Sequence, residues 1–568
     1  MAFHLRKSKR AKGIYLQIYE SYRDPETKLP KSKHIKTLGY ADYLESLGVK
    51  DPINFYTTAV RTMNDKRKIQ TSKKKLIEKN IPEKRIGFFV PAAIYRRLDV
   101  KNDIDYLQYG RKFEYNLSDC LELLIYSRLC NPMSKFKTVN EIFPTLYGQA
   151  QFSYDQTLSC LELLGREYEK VVEIFTHHTH ETYILDINQT YFDCTNFYFE
   201  IDAQDDWRRK GPSKENRTDP IIGMGLLLDA NCLPIGMRLY PGNQSEKPVM
   251  REVLHDLKNK QGVTGKTVRV ADKGLNCAEN IHDAILAHDG YIFSKSVLQL
   301  PEDEMEWAIE DEGFQEVIDR DGRLAYKMKS KLFQHKYDYR DENGRKHSLT
   351  VTEKRVVTFN PSLARKKRRE ITRLEEKAKN LCASAAKKSD YGDSAKYMIF
   401  TTENKSDNGN KEKVIAVLNT NLIEKHRKCA GFNMLITSEY KMDDSTIYQT
   451  YHELWHIEES FRTMKSSLDA RPVYLQNYDR IKGHFLVCYL SVLLERLFQY
   501  KVLKNKFGSE KVYNFMHELK VLPTGPYTFI NISPKCDIND YLSKTYNLPL
   551  DHYYLERTQI NKILEKHF

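Results

Sequence analysis

The stretch from residue 182 to about 297 constrains the fold more than any other part of the chain. TYILDINQTYFDCTNFYFEI is dense in aromatic and β-branched residues, and DPIIGMGLLLDANCLPIGMRLYPGN adds two apolar runs joined by the turn cluster DANCLP. That texture predicts three consecutive strands. SEKPVMREVLHDLKNK then sets Ser245 as a cap, Pro248 in a first turn, and Val249, Val253, Leu254 and Leu257 at helical spacing. A strand in KTVRVAD, a helix through AENIHDAILAHDG and a strand in GYIFSKSV complete the series.

Three strands, a helix, a strand and a helix in this order is the connectivity of an RNase H-like sheet. The expected fold is therefore α/β: an RNase H-like core interrupted by a β-rich insertion, with basic and helical regions before it and a helical C-terminus. KGIYLQIYESYR and SKHIKTLGY, separated by DPETKLP, predict a hairpin over residues 12–40, and a basic helical stretch follows over 52–82. LSDCLELLIYSRLC and SYDQTLSCLELLGREYEKVVEIF predict helices, each with a Ser available as cap. The expected regions are 1–88 (basic DNA-binding module), 89–180 (helical), 181–299 (first part of the core), 300–442 (β-rich insertion), 443–500 (core, with an acidic helix) and 501–568 (helical).

At 568 residues the chain has room for about three to four domains. Hydrophobic residues at 40% and charged residues at 29% make a globular balance, and no run of about 18 apolar residues is present to cross a bilayer. Phe485 to Leu497 is too short and too charged at its end for a span, which predicts a buried helix. The net charge of +13 is concentrated: residues 1–85 hold 21 Lys or Arg against 9 Asp or Glu. A basic module on a near-neutral body suits nucleic acid, because lysines that neutralise phosphates release counterions. Ten cysteines without a C-x-x-C pair offer no zinc-ribbon spacing and suit small buried hydrophobes in a reducing cytoplasm. His177, His178 and His180 could form a metal-binding tract, but they read rather as a polar turn before a strand.

Three acids stand out. Asp193 lies within the strand TYFDCTNFYFE, whose two faces are both apolar or aromatic, so its carboxylate needs a compensating partner or cation. Asp272 ends the strand TVRVAD beside Lys273-Gly274, at the carboxyl edge where open sheets build their sites. GKT at 265–267 does not make a phosphate loop, since Lys260 stands where that loop needs Gly and a strand follows instead of a helix. Glu458 shares a predicted helical stripe with Tyr451 and Lys465, seven residues to either side, while Leu454, Ile457, Phe461, Met464 and Leu468 form the adjoining core arc.

At these motifs the sequence resembles the DDE transposases of bacterial insertion sequences, of the insertion-sequence family four type with the pattern Y-x2-R-x3-E-x6-K. The likeness runs from about 180 to 490 through D-x-T-N-x-Y-F-E at Asp193–Glu200, KGPSKENRTDPIIGMGLLLDANCLPIGMRLYPGN, V-A-D-K-G-L at 270–275, YHELWHIEESFRTMK and RPVYLQNYDRIKGH. It implies that Asp193, Asp272 and Glu458 are the catalytic, metal-ligating acids, and that Tyr451 and Lys465 contact DNA. Where the pattern has Arg this chain has Leu454, with Arg462 further along the same helix as a further DNA contact. Lys73, Lys74 and Lys75 complete the expected DNA-binding set.

The resemblance further implies two Mg²⁺ ions, for which Mn²⁺ substitutes, terminal inverted repeats and target DNA as partners, a homodimer in the synaptic complex, no membrane, and a bacterial cytoplasmic location at the nucleoid. The gap of 186 positions from Asp272 to Glu458 is accounted for by the β-rich insertion. Two other readings are an RNase H-like nuclease without strand transfer and a non-catalytic DNA-binding descendant of a transposase.

Overall fold

The computed structural model describes residues 2–24, 27, 29–72, 83–215, 217–259, 265–340, 343–383, 388–403 and 413–568. The chain divides into two compact units, 1–82 and 83–568. In the first, β1 (Ala2–Arg10), β2 (Gly13–Arg23) and β3 (Pro30–Tyr40) form an antiparallel sheet in that order, followed by α1 (Ala41–Ser46) and α2 (Pro52–Ser72). The predicted hairpin is β2–β3, and the basic run before it adds a third strand. Leu16, Ala41 and Leu44 make a small core, and Asn64 of α2 clamps β1 by hydrogen bonds to both the N–H (2.7 Å) and the carbonyl (2.8 Å) of Phe3.

The second unit begins with helices α3 (Phe89–Leu98), α4 (Leu117–Cys130), α5 (Tyr154–Arg166) and α6 (Tyr168–Tyr183). Ser153 caps α5 in a full capping box with Gln156, whereas α4 starts at Asn116 without a side-chain cap bond, so its Ser118 is not the cap. The histidine cluster is not a turn. It lies within α6, where the helical periodicity persists, and each ring has its own partner: His178 meets Asp103 at 2.7 Å, His177 meets Glu181 at 3.3 Å, and His180 accepts from the Leu185 N–H at 3.2 Å.

The predicted run of elements follows: β4 (Gln189–Tyr198), β5 (Ile221–Leu228), β6 (Pro234–Pro241), α7 (Glu246–Asn259), β7 (Val268–Ala271), α8 (Ala278–Leu286) and β8 (Gly290–Lys295). Then come β9 (Gln315–Ile318), β10 (Leu324–Arg340), β11 (Lys346–Phe359), the charged helix α9 (Pro361–Ala383) and β12 (Phe432–Thr437). The nine strands β4 to β12 join one mixed sheet in the order β9-β10-β11-β12-β8-β7-β4-β5-β6, whereas Lys520–Pro523, Thr528–Asn531 and Tyr554–Glu556 join Lys84–Arg85 in a separate sheet, so the C-terminal region is not purely helical as expected. β7 runs parallel to both β4 and β8, and the other neighbours are antiparallel. The strands of residues 315–359 therefore extend the central sheet, and Tyr291 of β8 donates to the buried Glu353 of β11 at 2.7 Å.

Helices α10 (Asp444–His452), α11 (Trp455–Arg462) and α12 (Tyr478–Leu497) return to the sheet. α12 is buried over nearly its whole length, as its apolar sequence predicts, and it crosses α5 at two glycines. A Cβ on Gly483 would sit 2.1 Å from the Leu161 carbonyl oxygen, and one on Gly165 would sit 1.6 Å from that of Asp479, so only glycines let these backbones meet. Among the described residues no helix is long and apolar enough to cross a membrane.

α12 also buries Glu495, whose carboxyl is pushed up to about 7 by burial against the opposing pull of Arg496. A raised carboxyl favours the fold while it is protonated; the benefit is complete below its unfolded value near 4.5 and is lost as pH rises through 7. Glu495→Gln is expected to match the parent below about pH 4 and to exceed it at pH 8 by up to about 3 kcal/mol, read as a pH-dependent difference in thermal unfolding.

Candidate active site

The site grows from strand register. β4 and β7 pair in parallel with Phe192 opposite Ala271, and β7 and β8 with Ala271 opposite Phe293. One residue further on, Asp193, Asp272 and Ser294 stand abreast; Asp272 keeps an extended backbone (φ −77°, ψ 168°). In a parallel pair, neighbours share a face and strands lie about 4.8 Å apart. The two aspartates are thereby brought side by side at the carboxyl edge of β7.

Their surroundings differ. Asp272 Oδ1 accepts from Ser294 Oγ at 2.8 Å and from the Tyr451 hydroxyl at 3.1 Å. Asp193, with 22% of its side chain exposed, accepts from the Cys194 N–H at 2.7 Å and faces Lys214 Nζ at 3.6 Å. Burial pushes the Asp193 carboxyl up to about 6; Lys214 and the Cys194 N–H pull it down, and Glu246 and Asp272 push it further up. Negative charge here exceeds what Lys214 neutralises, and the donors are hard carboxylate oxygens. Such a set fits a divalent cation of the magnesium class.

Glu458 lies in the first turn of α11, exposed, and its carboxylate has no hydrogen bond or ion pair among the described residues. The predicted single helix is broken. Between α10 and α11 the N–H groups of His456 and Ile457 reach back only three residues, to Glu453 and Leu454 at 3.1 Å each, and the last turn, Thr463–Ser467, is wound as π-helix. Local tightening and loosening of this kind rotates side chains off an ideal stripe, a feature frequent at functional sites. The core arc nevertheless holds: Ile457, Phe461, Met464 and Leu468 are buried, and Leu454 packs against the same core.

Tyr451 reaches Asp272, and Lys465 Nζ lies 5.6 Å from the centre of the Phe197 ring on β4 while pairing with Glu215 at 3.1 Å. Glu458 sits between these two anchors in sequence. The three acids do not form a group whose ligand atoms all lie within 4.8 Å of one another. Arg462 is exposed, with no ion pair among the described residues, and Lys73, Lys74 and Lys75 lie outside the described residues. Sequence reasoning missed Lys214, Glu215, Glu246 and Arg471. Glu215 pairs with Lys465 and Arg471, and Lys214 lies 3.7 Å from Glu246. The charged KGPSKENRTDP run between two buried strands was the available signal.

Because burial makes ionised Asp193 costly, Asp193→Asn should raise the melting temperature in chelator at pH 8. The gain should shrink as pH falls below about 6, where the parent carboxyl is itself protonated; an equal or lower melting temperature at pH 8 would contradict the electrostatic account.

Two family matches agree with this arrangement. Residues 192–494 match the family described as Transposase DDE domain, and residues 5–73 match the family described as IS1634 family transposase, N-terminal domain. No curated protein matches the chain. With more than half its length covered by the first match, the chain belongs to the DDE transposases: it is an insertion-sequence transposase, and its chemistry is divalent-metal-dependent DNA cleavage and strand transfer.

Proposed function

We propose that Asp193, Asp272 and Glu458 are the three catalytic acids of this transposase and hold two Mg²⁺ ions, with Mn²⁺ as a substitute. The observation that carries the reading is the parallel register that sets Asp193 beside Asp272, joined by the hydrogen bond from Tyr451, seven residues before Glu458. The order β6-β5-β4-β7-β8 supports an RNase H-like core, and residues 300–442 are its insertion. Tyr451, Glu458 and Lys465 at their mutual spacing support the family four type, with Leu454 in the Arg place. Ions held by these carboxylates would supply Lewis-acid chemistry to phosphoryl transfer.

Water opens the strand at the transposon end and leaves a 3′-hydroxyl. That hydroxyl then attacks a target phosphodiester, one ester bond forming as another breaks, so no ATP is required. Tyr451 orients Asp272, and Lys214 counters the charge on Asp193. Lys73, Lys74, Lys75, Arg462 and Lys465 contact DNA, the last after exchanging Glu215 for phosphate. A homodimer holds two ends in one synaptic complex, in the bacterial cytoplasm at the nucleoid.

A second basic track supports a path for the DNA. Lys273, next to Asp272, borders a groove of about 300 Å³ that is also lined by Lys396, Lys367 of α9 and Glu370, which pairs with Lys367 at 3.0 Å. Phosphate contacts there would position a strand without reading its sequence.

With a labelled transposon end, supercoiled plasmid and Mg²⁺, the parent should yield joined product, and Asp193→Asn, Asp272→Asn and Glu458→Gln should each lose cleavage and joining by about 10²–10³-fold or more. Cleavage without joining by the parent, or retained activity of Glu458→Gln, would overturn the assignment. Lys273→Ala and Lys367→Ala should each lower the slope of log affinity against log salt by about 1, with little change in sequence preference.

A further inference from the structure

The β5–β6 turn and the joint between α10 and α11 hold a second cluster of different chemistry. Cys232, Glu453 and His456 each turn one ligand atom inward so that all three atoms lie within 4.8 Å of one another. Thiolate, imidazole and carboxylate bound at about 2.0–2.3 Å around a tetrahedral ion lie within such a span of one another.

The three come from two elements. Cys232 sits in the β5–β6 turn, held by an Asp229 carboxylate that accepts the N–H groups of Asn231 (3.0 Å) and Leu233 (2.8 Å). Its backbone is left-handed (φ 63°), a conformation that favours glycine, yet a thiol occupies it and is 91% buried. Glu453 and His456 bracket the break between α10 and α11. His456 Nε2 lies 3.0 Å from Glu453 Oε2.

The other face of the imidazole carries the second observation. Its Nδ1 is buried without a hydrogen bond and lies 3.6 Å from Glu459 Oε2, which Arg496 holds from behind at 2.7 Å. A carboxylate behind the distal ring nitrogen is how proteins orient a metal-bound histidine. Magnesium-class ions avoid sulfur, whereas zinc-class ions take S, N and O together.

We propose that Cys232, His456 and Glu453 bind one zinc-class divalent ion, with Glu459 as the orienting carboxylate, and that this ion ties the β5–β6 turn to the α10–α11 joint. The fourth position is left to water. The ion would lock the start of the helix that carries Glu458, as a positioning element and not a reacting one. The site stands apart from the assignment of the acids, since its test reads metal and not DNA.

The untagged full-length protein, stripped with chelator, is titrated with Zn²⁺ against a chromophoric competitor and separately with Co²⁺. The expected result is one tight equivalent, a Co²⁺ spectrum with a thiolate charge-transfer band, and no displacement by excess Mg²⁺. Cys232→Gly, which suits the left-handed backbone and so preserves the turn, should abolish the band and the tight equivalent. Glu459→Gln should weaken binding about 10–100-fold, and Cys277→Ala should change nothing. Absence of tight Zn²⁺ uptake by the parent, or uptake that survives Cys232→Gly, would overturn the site.

Discussion

Everything in the catalytic unit is arranged around the parallel pairing of β4 with β7. It places two carboxylates abreast at the end of buried strands, where like charges at close range repel and desolvation makes each costly. The fold tolerates this because Lys214 approaches Asp193 and Ser294 and Tyr451 donate to Asp272. The single ammonium is shared with Glu246 and the two hydroxyls are neutral, so negative charge remains in excess and a cation would relieve it. Stability is given up locally at this edge.

The remainder of the unit keeps that edge rigid. α12 runs buried beneath the sheet with its Gly483 locked against α5 and Gly165 of α5 against its first turn, and Phe485 packs on Phe197 of β4 with ring centres 4.7 Å apart. On β7, the buried Arg269 bridges Asp283 and Asp289, so the strand that ends in Asp272 is held by charge-assisted bonds as well as by its neighbours. Strands β9 to β12 add to the same sheet beyond β8. Their long hairpin β10–β11 continues the support of the edge that holds Asp193 and Asp272, with a polar lock at Glu353 to Tyr291 and Tyr337.

α10 and α11 carry Glu458 by a different route. The helical path tightens at Glu453–Leu454 and widens after Arg462, and the two departures from ideal winding lie on either side of Glu458. A straight helix would fix the relation of Tyr451, Glu458 and Lys465 by geometry alone. The broken one makes it depend on what holds the joint, where Cys232, His456, Glu459 and Arg496 gather.

Sequence by itself determined the element order from 182 to 297, the buried character of the strands and of α12, the basic balance of the first 85 residues, and the three acids as unusual residues in their settings. These are local properties: periodicity of two or 3.6, turn chemistry, and the cost of charge in an apolar strand are all written within a dozen residues. Tertiary structure alone decided the register that sets Asp193 beside Asp272, the partners Lys214 and Glu246, the break in the acidic helix, the place of the histidines inside α6, and the meeting of Cys232 with His456. Each depends on packing between segments tens to hundreds of residues apart, and a side chain's pairing across such distances leaves no period in the chain for a reader to find.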